Sequence, residues 1–382
     1  MNLLILQDQL RVGGTERQSL FLARFFLDRG HTVRLLVFSP GGELADEPAR
    51  LGIPFDCLQR RARGLPLWAP GLMRAVAESG AAVVLCMGRT ANCYAGFVQR
   101  RFPDKAVIGT LRTGKVLFPL HHWSMGIVRG VLANSNWWAR RMSDRGVPPD
   151  RVHVVHNSVL LQRHEAEAAA ARAEARAEHG VPADACLFLN VATFRRGKRH
   201  MDLLRIMRDA RVVHPALPWR LWLVGDGPER RRCQRWAVEN GLGTRVRFFG
   251  FSSDPLPFYS AADVAVSTSL EDSLPNFLIE AQTMGLPVVA FDCRGAVECC
   301  DPGASGFIHP PGDFTGFRDE CLRLARDPAA RRRAGEAAVP FARRRFAPAP
   351  QAEAIEAFLQ GHAESAAGGP ADGPRNFPSK RS

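Results

Sequence analysis

The sequence predicts an α/β protein of two domains, each built around a parallel sheet. The chain has 382 residues, which is long for one domain. Short apolar segments, typical of buried parallel strands, alternate with longer amphipathic segments through most of it. The alternation stops at a charged stretch, Arg163–His179, and starts again at Cys186. Two consecutive α/β halves are therefore expected to face each other across a cleft, with ligands at the carboxyl ends of the strands.

The first half begins with a strand at Leu3–Leu6 and an amphipathic helix at Thr15–Arg29, which Gly30 ends. Asn134 and Ser135 are suited to cap a further helix at Asn136–Arg145. Other apolar segments have the length of strands: Thr32–Phe38, Ile53–Cys57, Ala82–Met87, Ala106–Leu111, Val131–Ala133 and Val152–Val155. The charged stretch Arg163–His179 is predicted to be a surface helix with a solvated face.

The second half repeats the same alternation. Predicted strands are Cys186–Ala192, Arg220–Val224, Val246–Gly250, Val264–Ser267 and Val288–Phe291. Predicted helices are Met201–Val213, Arg230–Asn240, Pro257–Ala262 and the segments near 314–326 and 351–360. Residues 361–382 are rich in Gly, Ala, Pro and Ser, and they are predicted to be disordered.

The chain is strongly basic, with a net charge of +13 and a pI near 10.1. Such a charge favours polyanionic partners: nucleic acid, anionic lipid or phosphorylated substrates. Two stretches, Arg60–Met73 and His121–Val131, mix basic, Trp and Leu residues, and they either lie on anionic lipid or pack within the protein. An Ala/Arg-rich composition that only reflects genomic base bias would give the same charge without any such partner. A nucleic-acid-binding protein remains an alternative, although the sequence has no recognised binding motif.

The nine cysteines are scattered and show no metal-ligand spacing, so free thiols in a reducing compartment are expected. The N-terminus lacks the basic start and the apolar length of a signal peptide. No segment has about 18 uncharged apolar residues, the length that a spanning helix needs. The sequence therefore predicts a cytoplasmic protein that is soluble or attached peripherally to the inner face of the plasma membrane.

The most informative segment runs from Ser269 to Asp292. Asp272 and Glu280 lie eight positions apart, the first before a loop and the second on a short helix. The loop residues Ser273, Leu274, Pro275 and Asn276 offer backbone N–H groups at the start of that helix, which suits a phosphate or a sugar hydroxyl. The alternative is an ordinary strand–helix–strand unit with two chance acids.

This segment resembles the signature of the retaining glycosyltransferases of family 4 (glycosyl transferases group 1), which have the GT-B fold. That signature is an acidic residue, seven residues, a Glu, and then Ala, Gly and Pro. Asp272 fits the first acidic position, and Glu271 lies one position too early. The resemblance implies that Glu280 holds the ribose hydroxyls and that Asp272 faces hydroxyls of the donor sugar. It covers about residues 1–360 and is strongest in 186–315.

The same resemblance assigns the basic turn after the first strand of the second half to the donor diphosphate. Lys198 matches the family's lysine, and cations there neutralise the leaving group. The family's arginine position holds Thr193, so Arg195 or Arg196 is the candidate for the second cation.

Glycine turns complete the expected donor site. Gly13 and Gly14 resemble the family's Gly-Gly loop, which reaches toward the diphosphate. Gly225 and Gly227 resemble its Gly-x-Gly-Pro turn, and Phe251 follows a strand end whose backbone contacts the base in relatives. A purely structural role is equally expected for these later turns.

The acceptor is assigned to the N-terminal half. Glu16 follows the Gly-Gly pair, and Arg112 stands where relatives often have a His near the sugar.

The resemblance implies an acceptor-binding domain at 1–165, a nucleotide-sugar-binding domain at 166–345 and a helix at 346–360 that packs back on the first domain. The expected function is transfer of a sugar, a hexosyl or related group, from a nucleotide-diphosphate sugar. The acceptor is a saccharide or a lipid-linked saccharide in cell-surface polysaccharide or lipopolysaccharide synthesis. Asp272, Glu280 and Lys198 carry the catalysis; no metal or cofactor is expected, and nucleic acid is not an expected partner. A catalytically inactive GT-B scaffold is the main alternative, because Thr193 and Arg112 depart from the family pattern.

Overall fold

A computed structural model of the chain describes residues 1–11, 13–59, 69–112, 119–159 and 165–367. These residues form two compact units. The first contains Met1–Arg112, the described residues up to Ser158 and the C-terminal helix that begins at Pro348; the second contains Val159–Ala347. The structure divides the chain at 158/159 and 347/348, whereas the sequence placed the boundaries at 165/166 and 345/346.

The first unit has a parallel seven-stranded sheet in the order β3-β2-β1-β4-β5-β6-β7. Its strands are β1 Asn2–Gln7, β2 Thr32–Val37, β3 Phe55–Cys57, β4 Val83–Cys86, β5 Ala106–Leu111, β6 Gly130–Ala133 and β7 Val152–Val154. Its first helices are α1 Gly14–Asp28, α2 Glu47–Arg50, α3 Leu72–Glu78, α4 Arg89–Arg101, α5 Pro119–Ile127 and α6 Asn136–Ser143. Successive residues of β1 enter two different hydrophobic clusters, so both faces of the sheet are covered.

The segment His121–Val131 forms part of this core. His121 is 2% exposed and Met125 is fully buried on α5. A side chain on Gly96 of α4 would lie 2.7 Å from the Trp123 ring, so the two helices are in close contact. This segment therefore packs within the unit because burial of its large side chains is favourable. Residues 60–68 of the other basic–aromatic stretch lie outside the described part of the chain.

The second unit has a parallel six-stranded sheet in the order β10-β9-β8-β11-β12-β13. Its strands are β8 Cys186–Val191, β9 Trp219–Val224, β10 Val246–Phe249, β11 Val264–Ser267, β12 Val288–Phe291 and β13 Gly306–His309. Its helices are α7 Glu165–Glu178, α8 His200–Val213, α9 Arg230–Glu239, α10 Leu256–Ala261, α11 Asn276–Thr283, α12 Phe314–Arg326 and α13 Pro328–Phe346. The strand order reverses between β8 and β11, which is where ligands bind in sheets of this kind. Two parallel-sheet α/β units confirm the predicted fold class.

The structure differs from the sequence prediction at two places in this unit. Strand β13, which was not predicted, extends the sheet beyond β12; it begins with Gly306 and is only partly buried, so its sequence pattern is weak. Helix α7 is not simply a solvated surface helix. Arg172 and Arg176 bind the carboxylate of Asp263 at 2.5 and 3.0 Å, and their guanidinium groups also donate hydrogen bonds to the carbonyls at the end of α10.

The last helix, α14 Pro348–Ala367, packs on the first unit. Ile355 and Leu359 enter its core, and Glu356 binds Arg29 at 2.8 Å and His31 at 2.5 Å. The helix continues beyond 360, where the sequence predicted disorder, because Ala366 is still buried against the same core. Residues 368–382 of the predicted disordered tail lie outside the described residues.

Candidate functional site

Two loops of the second unit meet at the point where its strand order reverses. One follows β8 and the other follows β11, and these strands are neighbours in the sheet. The N–H of Leu270 donates to the carbonyl of Gly197 at 3.0 Å, and the Thr268 hydroxyl donates to the carbonyl of Arg199 at 3.0 Å. The loops are therefore held against each other by hydrogen bonds from the β11 loop to backbone carbonyls of the β8 loop.

Lys198 and Asp272 form an ion pair between these loops. The Lys198 ammonium donates to both oxygens of Asp272 at 2.9 and 2.7 Å, and the Ser269 hydroxyl donates to one of them at 2.6 Å. Burial by itself would raise the pKa of Asp272. The charge and hydrogen bonds of Lys198 and Ser269 outweigh burial and hold that pKa below its ordinary value of 3.8. Asp272 is therefore ionised. Its neighbour Glu271 is exposed to solvent.

The N-terminus of α11 lies four positions after Asp272. Ser273, Leu274 and Pro275 are buried, and the helix begins at Asn276. Pro275 occupies the capping position and provides no side-chain hydrogen bond to the first turn. The first N–H groups of a helix carry partial positive charge, so this end of α11 is suited to bind an anion beside Lys198.

Glu280 lies one turn further along α11, and its partner is Tyr259 of α10. The Tyr259 hydroxyl donates to Oε2 of Glu280 at 2.5 Å, and the tyrosine is 1% exposed. Burial, together with the charge of Glu280, raises the pKa of Tyr259 well above 10, so the hydroxyl keeps its proton. Tyr259 was not predicted from the sequence, because it lies 21 residues before Glu280 and therefore outside the motif that identified Glu280.

The remaining basic residues of the β8 loop lie at the surface. Arg195 and Arg196 are exposed, and so is Thr193, which stands at the family's arginine position. The charge of Arg195 helps to lower the pKa of Asp272, which indicates that Arg195 lies near the ion pair. Arg195 and Arg196 also line a cavity of about 220 Å³, together with His200 and Glu229. Arg195 is therefore a further cation near the ion pair, whereas Thr193 supplies none.

The turn after β9 needs glycine for backbone reasons. Gly225 has φ of 137°, and a Cβ there would lie 2.1 Å from the carbonyl oxygen of Ala192. Gly227 has φ of 147°, and its Cβ would lie 2.6 Å from the carbonyl oxygen of Phe194. These contacts account for both glycines without a ligand. Phe251, just beyond β10, is 57% exposed.

The first unit holds the other candidates, at the start of α1. Gly13 caps this helix, Gly14 is its first residue, and the Glu16 carboxylate lies in its first turn. Burial raises the pKa of Glu16, and the nearby charge of Asp8 adds to the effect. Asp8 follows β1 and accepts hydrogen bonds at 2.8 and 2.9 Å from the first backbone N–H groups of α4. Asp8 was not predicted from the sequence, although its position directly after a buried strand was an available signal.

Arg112 lies after β5 in the same unit and donates to Oδ1 of Asn157 at 2.9 Å. Burial lowers the pKa of Arg112 to about 10. This contact fixes the guanidinium at the carboxyl edge of the sheet, and residues 113–118, which follow it, lie outside the described part.

Among the helices of the described residues, none is long and apolar enough to cross a membrane.

Comparison with known proteins gives two family matches. Residues 12–163 match the family described as Glycosyltransferase Family 4, and residues 185–327 match the one described as Glycosyl transferases group 1.

Two similar relatives come from Rhizobium meliloti (strain 1021). The lipopolysaccharide core biosynthesis glycosyltransferase LpsE is 30% identical over 206 residues, which cover 54% of this chain and 56% of LpsE. The lipopolysaccharide core biosynthesis glycosyltransferase LpsD is 32% identical over 172 residues, which cover 45% of this chain and 48% of LpsD. The chain thus matches about half the length of these relatives.

Among solved structures, Anabaena Alr3699/HepE in complex with UDP and glucose superposes with a TM-score of 0.80 and 20% identity. The likeness covers 94% of this chain and 99% of that chain, and at this identity it shows the fold alone. The family matches fall on the two α/β units, and together with the fold they show that the chain belongs to the family 4 glycosyltransferases of the GT-B fold.

Proposed function

We propose that this protein is a retaining glycosyltransferase that moves a hexosyl or related sugar from a nucleotide-diphosphate sugar to a saccharide or lipid-linked acceptor. Family membership supports sugar transfer. The names of LpsE and LpsD support an acceptor of the lipopolysaccharide or cell-surface polysaccharide class. The UDP bound by HepE supports a nucleotide donor.

The arrangement of Lys198, Asp272 and the N-terminus of α11 is the observation on which the proposal rests. A diphosphate needs positive charge, and here the Lys198 ammonium binds Asp272, four positions before the positive end of α11. Asp272 is ionised and can accept hydrogen bonds from sugar hydroxyls. Glu280, one turn further along α11, can accept them from the ribose.

The proposed reaction needs no nucleophile from the protein. The bond between the anomeric carbon and the diphosphate oxygen breaks, and its electron pair stays on the diphosphate. The acceptor hydroxyl forms the new bond on the same face of the sugar, and its proton passes to the departing diphosphate oxygen. Lys198 and the N–H groups of α11 stabilise the charge that develops on the leaving group. Because these groups supply the positive charge, we propose that the reaction is independent of metal ions.

In the first unit, Glu16 and Arg112 are the candidates for acceptor contacts. The raised pKa of Glu16 and the fixed position of Arg112 support a binding role for these side chains. We propose that the protein acts in the cytoplasm, at the inner face of the plasma membrane, where a lipid-linked acceptor would be available.

The direct test is a donor screen with the purified protein, in which nucleotide release from a panel of nucleotide sugars is measured with EDTA present. Release from one donor class, with retained anomeric configuration in the NMR spectrum of the product, is the expected result. Nucleotide binding without turnover of any donor would instead favour an inactive scaffold. Activity that is lost in EDTA and restored by Mg²⁺ or Mn²⁺ would overturn metal independence.

A further inference from the structure

We propose that Tyr259 is a positioning residue for nucleotide recognition: its hydroxyl orients the Glu280 carboxylate toward the ribose and so sets the preference for nucleotides with both ribose hydroxyls over dideoxynucleotides. The inference rests on the proposed function and deepens it. It adds a residue from α10, outside the motif that identified the site.

The position of Tyr259 is fixed by packing. Its side chain is 1% exposed and belongs to the hydrophobic cluster that also contains Leu278 and Ala281 of α11. The Phe277 ring is its aromatic neighbour, with 6.1 Å between the ring centroids. A ring held in a close-packed core cannot change rotamer without displacing its neighbours. The hydroxyl is therefore presented to Glu280 from one direction only.

The contact with Glu280 constrains the carboxylate. The hydroxyl donates to Oε2 at 2.5 Å, and hydrogen bonds have a preferred direction, so this contact limits the orientations open to the carboxylate. A glutamate side chain otherwise loses considerable rotamer freedom when it binds a ligand. With Tyr259 in place, that freedom is already restricted before the nucleotide arrives, so the carboxylate is preorganised for binding.

Burial keeps this contact constant. Because the pKa of Tyr259 is raised well above 10, the hydroxyl remains a donor throughout the physiological pH range. Glu280 accepts this hydrogen bond, and because a carboxylate has several acceptor positions it can also accept hydrogen bonds from a ligand. The two vicinal hydroxyls of a ribose are such groups, and a dideoxyribose lacks them. Selectivity for the ribose is the expected consequence.

The test compares binding of UDP and 2′,3′-dideoxy-UDP by calorimetry, with the GDP and ADP pairs used if UDP does not bind. The proteins are wild type, Tyr259→Phe, Glu280→Gln and Tyr94→Phe. Tyr94 is the only other tyrosine in the chain and lies in the first unit, so its variant is the matched control. The Phe substitution at 259 removes one oxygen atom and keeps the packed ring.

Tyr259→Phe is expected to weaken UDP binding by roughly fivefold to tenfold, the scale of one lost hydrogen bond, and to leave dideoxy-UDP binding within about twofold of wild type. Unchanged dideoxy-UDP binding also shows that the site is folded. In steady-state assays the KM for the donor should rise while kcat changes little, because the ribose is remote from the reacting bond. Tyr94→Phe should match wild type with both ligands.

The outcomes separate this inference from the proposed function. Equal weakening of both ligands in Tyr259→Phe, or no weakening of either, overturns the inference. If Glu280→Gln loses the ribose preference and Tyr259→Phe keeps it, Glu280 retains its role and only the inference fails. Failure of every nucleoside diphosphate to bind wild type overturns the proposed function and this inference with it.

A second measurement uses the unmutated site. In protein labelled with ¹³C at the tyrosine ζ carbons, only two signals are expected, and Tyr94→Phe assigns them. The Tyr259 signal should shift on addition of UDP and move much less with dideoxy-UDP. Equal shifts with the two ligands would contradict the proposal even if Tyr259→Phe did not fold.

Discussion

Lys198 donates hydrogen bonds to both carboxylate oxygens of Asp272, although 74 positions separate the two residues in the chain. Each side chain is 18% exposed, so the pair is screened from solvent more than a surface ion pair is. The pair joins the loops after β8 and β11 beside the N-terminus of α11. A diphosphate bound there would meet a lysine whose position is already set by an aspartate.

Asp272→Asn should reduce kcat/KM for sugar transfer by about a hundredfold, the effect of removing one electrostatic stabiliser. The amide cannot balance the Lys198 charge, nor accept as many hydrogen bonds from the sugar. Glu271→Gln is the matched control, because Glu271 is adjacent and exposed, and it should stay within about threefold of wild type. A larger loss in Glu271→Gln than in Asp272→Asn would reverse the assignment of the motif's first acid.

Lys198→Met should also lower transfer by at least about a hundredfold, because the leaving diphosphate loses its closest cation. Steady-state kinetics with the best donor of the screen would measure the effect. The control is Lys105→Met, since Lys105 binds the carbonyl of Ala81 in the first unit and is outside the site. Near-normal turnover in a folded Lys198→Met protein would rule out its role at the diphosphate.

Buried His200 should make stability depend on pH. Burial and the charge of Lys198 lower the pKa of His200 from 6.5 to about 3. Between these values the unfolded chain binds a proton that the folded protein does not, so the free energy of unfolding falls as pH falls below 6.5. His200→Phe keeps a ring to stack on Phe194, whose centroid lies 4.0 Å away, and removes the titration.

From pH 7 to pH 5, wild type should therefore lose about 2 kcal/mol more stability than His200→Phe in denaturant unfolding. Parallel pH profiles for the two proteins would show that His200 is protonated equally in both states.

Gly225→Ala should destabilise the protein by at least about 2 kcal/mol, because a Cβ would strike a backbone carbonyl at a φ that other residues rarely adopt. Gly243→Ala is the control, since its added Cβ would have its nearest neighbour at 3.9 Å. It should change stability by less than about 1 kcal/mol. Thermal unfolding of both variants gives the comparison, and similar melting temperatures would contradict the backbone explanation of this turn.

The net charge of +13 predicts reversible binding to anionic membranes. Each basic residue near such a surface gains about 1 kcal/mol, so a few are enough for weak attachment. Co-sedimentation with phosphatidylglycerol-containing vesicles should occur at low salt and disappear as salt screens the charges. Phosphatidylcholine vesicles are the control; equal binding to both, or binding to neither, would remove the membrane from the proposal.

The sequence by itself was sufficient for the fold class and for the central motif. Apolar segments of strand length alternate with amphipathic ones, and this periodicity depends only on which residues must be buried. The spacing of Asp272 and Glu280 is also local, because a loop and a helix of fixed length connect them. Such features depend only on residues that are close together in the sequence, so they can be predicted without knowing the contacts between distant residues.

The partners of these residues were decided by the tertiary structure. Tyr259 meets Glu280, Lys198 meets Asp272 and Asp8 caps α4 because particular strands are neighbours in a sheet and particular helices pack on it. The burial of Arg176 beside Asp263 has the same origin. Sequence patterns specify which side chains are buried, whereas the hydrogen bonds and pKa values of a site depend on which polar groups that burial brings together.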